Sequence, residues 1–81
     1  MEWIKEREPW RAELIHDCDL ESDGKLLISA RKETPVSGTV THHGYKKIGR
    51  NNVHMCSFSP DIAPDKYWSI SLKWLRKVNL Q

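Results

Sequence analysis

The pattern His-x-Cys occurs twice in this chain, as His16-Asp17-Cys18 and as His54-Met55-Cys56. Residues i and i+2 of a strand share a face, so in a strand each pair points one way. Two such strands brought together would offer two thiolates and two imidazoles, the complement of a tetrahedral zinc site. His42 and His43 add two further imidazoles. The spacing is not that of a zinc module, which shows Cys-x-x-Cys or His-x-x-x-His. The plainer expectation is two small buried thiols beside surface histidines, with no bound metal and no cofactor.

Either cysteine can be paired on paper with a histidine as nucleophile and base. An active thiol also needs hydrogen-bond geometry and an oxyanion site. The chain has no Gly-x-Ser-x-Gly, no phosphate-cradling glycine loop and no His-Glu-x-x-His. Asp61 and Asp65 flank a proline in Ser59–Lys66 and read as turn formers rather than as an acid–base pair. A non-enzyme is expected.

Charge gives a sharper signal. The 81 residues carry a net charge of only +2. Residues 1–40 hold six Lys and Arg against nine Asp and Glu, whereas residues 41–81 hold seven against two. The simplest consequence is local neutralisation between the halves. The alternative is a basic face that attracts an anionic partner. Tyr45, Lys46, Lys47 and Arg50 cluster around one turn, and Lys73, Arg76 and Lys77 close the chain. Cations hold phosphates, and interleaved aromatic faces such as Tyr45, Tyr67 and Trp74 stack unpaired bases. Those residues define a nucleic-acid interface as the alternative function; the same lysines would also serve to solubilise sheet edges.

The favoured function is a non-catalytic accessory protein acting through protein–protein contacts, for instance an inhibitor or modulator of a larger machine. Its anchors are Trp3 and Trp10, which bracket an acidic segment, with Trp74 and Arg76 at the basic end. Aromatic and Arg anchors ringed by charge match the anatomy of interaction surfaces. Against this, Phe58 is the only Phe, so Trp can be filling the core. Self-association through an exposed edge strand would give a homodimer. No apolar run approaches membrane-spanning length, the first residues are charged, and two cysteines are too few for a disulfide scaffold. A cytoplasmic setting with reduced thiols and no membrane partner is expected.

The elements that must position these residues read as β. In Tyr67–Leu80, Trp68, Ile70, Leu72 and Trp74 alternate with Ser69, Ser71 and Lys73, the period of a half-buried strand. Trp10–Cys18 alternates likewise, and Asp19–Gly24 ends in the Asp-Gly of a hairpin turn. Lys25–Lys32 returns as its partner, Glu33–Gly38 is a loop, and Thr39–His43 is a third strand that Gly44 ends or bulges. Tyr45–Ile48 leads to a turn at Gly49–Asn52, and Val53–Phe58 pairs back. Met1–Glu8 is either a short edge strand or one helical turn, broken by Pro9. One domain over residues 1–81 follows, mainly β, with five strands in an SH3-like barrel or curved antiparallel sheet. The alternative makes residues 65–78 a helix packed on a sheet, since Trp68, Leu72 and Leu75 also fall at helical spacing.

Overall fold

The computed structural model describes residues 3–78. Two tight turns fix much of the register. Asp23 and Gly24 both take positive φ, 54° and 76°, as the Asp-Gly hairpin turn requires. They join β2 (Cys18–Ser22) to β3 (Lys25–Ala30). Gly49, with φ 62°, opens the second turn and joins β4 (Val36–Ile48) to β5 (Asn51–Pro60). Chain order is completed by β1 (Ile4–Leu14), β6 (Trp68–Ser71), a 3₁₀ turn at Leu72–Trp74 and β7 (Leu75–Lys77).

Five strands form one antiparallel sheet in the order β6-β5-β4-β1-β7, and β2 and β3 pair separately. The large sheet curls strongly into a half-barrel, and the architecture is mainly β and consistent with a small SH3-like barrel. Irregular register helps it curl. Between Val40 and His42 the β4–β5 pairing slips by one residue. The freed His42 N–H is caught by the Ser57 hydroxyl at 2.9 Å, so the bulge leaves no orphan donor there.

One hydrophobic core serves both sheets. Ala12, Leu14, Val36, Val40, Cys56, Phe58 and Ile70 from the half-barrel meet Leu20 and Ala30 from the hairpin. The hairpin is also tied by Trp68, whose indole N–H donates to the Glu21 carbonyl at 3.0 Å. Gly38 explains how Phe58 fits. A Cβ built there would lie 2.4 Å from the Ser59 carbonyl oxygen and 2.6 Å from the Phe58 ring.

Several boundaries differ from those expected. The stretch Tyr67–Leu80 is not one strand: β6 pairs with β5 on one edge of the sheet, and β7 pairs with β1 on the other. No straight strand can border both edges, and the 3₁₀ turn carries the chain around the corner. Leu72 and Trp74 therefore sit half-buried at the corner instead of lining the interior, while Ile70 keeps its expected buried place. The helical alternative fails because Met55 to Phe58 pair with Ser71 to Trp68. Residues 79 and 80, the end of that stretch, lie outside the described residues, as do Met1 and Glu2.

The N-terminal segment is one long strand, not two pieces. Pro9 falls in the irregular span between Lys5 and Trp10, where pairing with β4 slips; a proline without an N–H is tolerated at such a place. The strand expected over Trp10–Cys18 ends at Leu14, and Cys18 opens β2 instead. Gly38 and Gly44 both lie inside β4, so the expected loop and third strand merge into 13 continuous residues. Among the described residues, no helix is long and apolar enough to cross a membrane.

Candidate functional site

The β4–β5 hairpin builds the site. Its turn pairs Ile48 with Asn51 and, counting back along the strands, Tyr45 with His54 and His43 with Cys56. Tyr45 stacks on His54 with ring centroids 4.6 Å apart and planes 20° from parallel. His43 lies diagonal to His54, and its Nδ1 is 3.0 Å from His54 Nε2. On its other side His43 Nε2 is 3.8 Å from the Glu6 carboxylate of β1.

Glu6, His43 and His54 border an open groove of about 590 Å³ lined also by Trp10, Leu72, Leu75 and Lys77. The Lys77 ammonium lies 5.5 Å from the centre of the Trp10 ring, within cation–π range. Leu72 and His54 also border an adjoining groove of about 530 Å³, completed by Asn51, Asn52, Val53, Ser71 and Lys73. The two grooves thus share His54 and Leu72 as a common wall. Ser71 Oγ is buried in the second and has no hydrogen-bond partner among the described residues. Leaving a buried hydroxyl unsatisfied costs about 1–3 kcal/mol.

Ion pairs neutralise three of the arginines. Arg11 is paired with Asp61 at 2.5 Å, Arg31 with Asp19 at 3.2 Å and Arg76 with Glu13 at 2.7 Å. The hydrogen bonds from Arg11 and from Ser29 and Arg31 hold the Asp61 and Asp19 carboxyls below the usual range. Among the described residues, Lys46, Lys47, Arg50, Lys73 and Lys77 make no ion pair with a carboxylate. Lys5, Arg7, Lys25, Lys32 and Lys66 likewise make none and are exposed elsewhere, so the hairpin and the grooves hold part of the unpaired positive charge.

The sequence-derived candidates divide accordingly. Tyr45, Lys46, Lys47 and Arg50 are exposed at the hairpin end, and Lys73 and Lys77 line the two grooves. Arg76, named for both functions, is neutralised on Glu13 across the β1–β7 pair. Tyr67 stands elsewhere, with Trp3, Thr41, His42 and Ser57 around a separate cavity of about 220 Å³. The four proposed protein anchors do not converge. Trp3 lines that separate cavity, Trp10 lines the groove, and Trp74 is stacked on His16 at 4.2 Å with planes 8° apart.

The doubled His-x-Cys is not assembled into a ligand set. Cys18 belongs to the two-stranded sheet and Cys56 to the five-stranded one. His16 is engaged with Trp74, and no group of three or more His, Cys, Asp or Glu among the described residues is placed to hold a metal. The Cys56 thiol is buried and donates to the Ile70 carbonyl at 3.7 Å. Burial first, and the Glu6 charge second, push it up to about 11, far from the thiolate that nucleophilic chemistry needs.

Glu6, Leu72 and Leu75 are groove residues that sequence reasoning missed, and His43 entered only as a spare ligand. The signal for His43 was available: a two-residue turn at Gly49–Arg50 sets the register that places it beside His54. Glu6 had no such signal, because its strand meets β4 through an irregular register. Compared with models of known families, with curated proteins and with solved structures, the chain matches none.

Proposed function

We propose that this chain is a non-catalytic binding module whose working face is the double groove, and that its partner is a single-stranded nucleic acid. The observation that carries this reading is the placing of Lys73 and Lys77, which have no carboxylate partner among the described residues, in grooves lined by Trp10 and His54, with Tyr45, Lys46, Lys47 and Arg50 exposed on the hairpin that bears His54. Unpaired cations hold successive phosphates and release counterions. Flat rings at the same surface take bases by stacking, at about 1–3 kcal/mol per base. Duplex DNA hides its base faces and would use only the cations. A non-catalytic role is supported by the committed thiol of Cys56 and by the use of the Ser57 hydroxyl in the bulge. Two free thiols, Cys18 and Cys56, suit a reducing, cytoplasmic setting.

A protein partner is the second reading, and one observation favours it. The cavity at Trp3 and Tyr67 has no Lys or Arg in its lining, and Tyr67 is 67% exposed. It suits an apolar side chain from a protein on which this chain acts as an accessory or inhibitor. Fluorescence anisotropy with labelled oligothymidylate, challenged by duplex DNA and by an acidic peptide, tests the first reading. Displacement by unlabelled single strands alone is expected; equal displacement by the acidic peptide would show that the groove recognises charge without bases.

A further inference from the structure

The contact between His43 Nδ1 and His54 Nε2, at 3.0 Å, is a hydrogen bond only if one nitrogen carries a proton and the other does not. We propose that this pair couples proton uptake to anion binding, so that acid conditions tighten the groove's hold on its partner. The inference rests on the reading of the groove as a nucleic-acid site.

The surroundings define what each proton does. Glu6 of β1 lies 3.8 Å from His43 Nε2, so the first added proton makes a cation held between a carboxylate and a neutral imidazole. The second proton leaves two N–H groups facing each other across 3.0 Å, and the contact must open. Every other titratable or charged group near the pair weighs against that second proton or is indifferent to it. Lys77 of β7 lines the same groove, and Lys73 of the 3₁₀ turn lines the adjoining one with His54. Lys47 alternates onto the face of β4 that carries His43 and Tyr45, and Tyr45 stacks on His54. Cys56, opposite His43, stays a neutral thiol. Glu6 is thus the only anion at the pair among the described residues.

With both rings neutral, Glu6 and Lys77 leave the main groove without net charge. Two protons turn it strongly positive, and a phosphate placed there stabilises both. By linkage the phosphate favours protonation as much as protonation favours the phosphate.

Two measurements test this. The first follows the imidazole resonances of the free protein by NMR during a pH titration. Coupled titration is expected, with His43 responding to the state of His54; a His43 curve unchanged in His54→Gln would overturn the proposal without reference to any ligand. The second measures oligothymidylate affinity near pH 5.5 and 7.5, a span over which histidine is the titrating side chain. Wild type is expected to bind roughly tenfold tighter at the acid end, the effect of about one unit of linked shift. His43→Gln with His54→Gln should bind equally at both values, its fold being checked by near-ultraviolet circular dichroism of the tryptophans. Should the double variant not fold, His54→Gln alone must flatten most of the dependence. Binding that is independent of pH in wild type overturns the coupling and leaves the groove reading intact. Absence of binding at both values overturns the two together.

Discussion

At the scale of single residues, the groove depends on side chains that other parts of the fold leave unoccupied. Tyr45 is 62% exposed, yet its ring is held by the His54 stack, which presents a flat face without ordering cost at binding. Tyr45→Ala should weaken oligothymidylate binding by about 1–3 kcal/mol, the worth of one stacked base, while leaving the melting temperature nearly unchanged. Loss of stability equal to the loss of affinity would make Tyr45 a structural residue instead. The two thiols should behave differently. Cys56 is fully buried and pushed up to about 11, whereas Cys18 is half-buried and raised mainly by burial. A thiol reagent at neutral pH should modify Cys18 first and reach Cys56 only on unfolding. Rapid modification of both in the native protein would contradict the packing around Phe58 and Ile70.

At the scale of elements, β4 is the member on which the rest is built, because it pairs with β1, β5 and thereby the whole sheet. Its weakest substitution is Gly38→Ala, since the new methyl would strike the Ser59 carbonyl oxygen at 2.4 Å and the Phe58 ring. Overpacking against backbone should cost on the order of 3 kcal/mol, read as a drop in the urea midpoint at constant slope. Elements were legible in the sequence where chemistry is local. Asp23-Gly24 and Gly49 announced their turns, and the segments on either side, Lys25–Lys32 and Val53–Phe58, were expected as returning strands, although Leu26, which alternation puts on the inner face, is exposed. Long-range constraint was not legible. Nothing between Trp68 and Trp74 shows that the chain must leave one edge of the sheet and reach the other, because alternation persists through Leu72 and Trp74 where the backbone turns. The partner of β3 was misread for a related reason: Trp10–Leu14 and Cys18–Ser22 alternate equally well, and only the packing of Leu20 against the core decides between them. In the site, the cations were legible as a cluster, but the neutralisation of Arg76 by Glu13 joins residues 63 apart.

At the scale of the whole molecule, an 81-residue chain supports one modest core and reinforces it with ion pairs between distant segments. Asp61 and Asp19 are held below their ordinary range in the folded protein. Their contribution is therefore present above the unfolded carboxylate value near pH 4 and is lost as pH falls through the lower folded values. Melting temperature should stay level from neutral pH down to about 5 and decline below about 4, and Asp61→Asn should remove part of that decline. Both pairs are exposed, so the effect is small, and an identical acid profile in wild type and Asp61→Asn would show the Arg11 pair to be without weight. The opposite charge matters for the proposed binding: Lys46, Lys47, Arg50, Lys73 and Lys77 meet no carboxylate among the described residues. Their role is tested most directly by oligothymidylate affinity measured against salt concentration, in wild type and in Lys47→Glu with Lys73→Glu. The logarithm of affinity is expected to fall with the logarithm of salt with a slope of about 2–3, and the paired reversal to lower both affinity and slope. An affinity indifferent to salt, or unchanged by reversing Lys47 and Lys73, would contradict it.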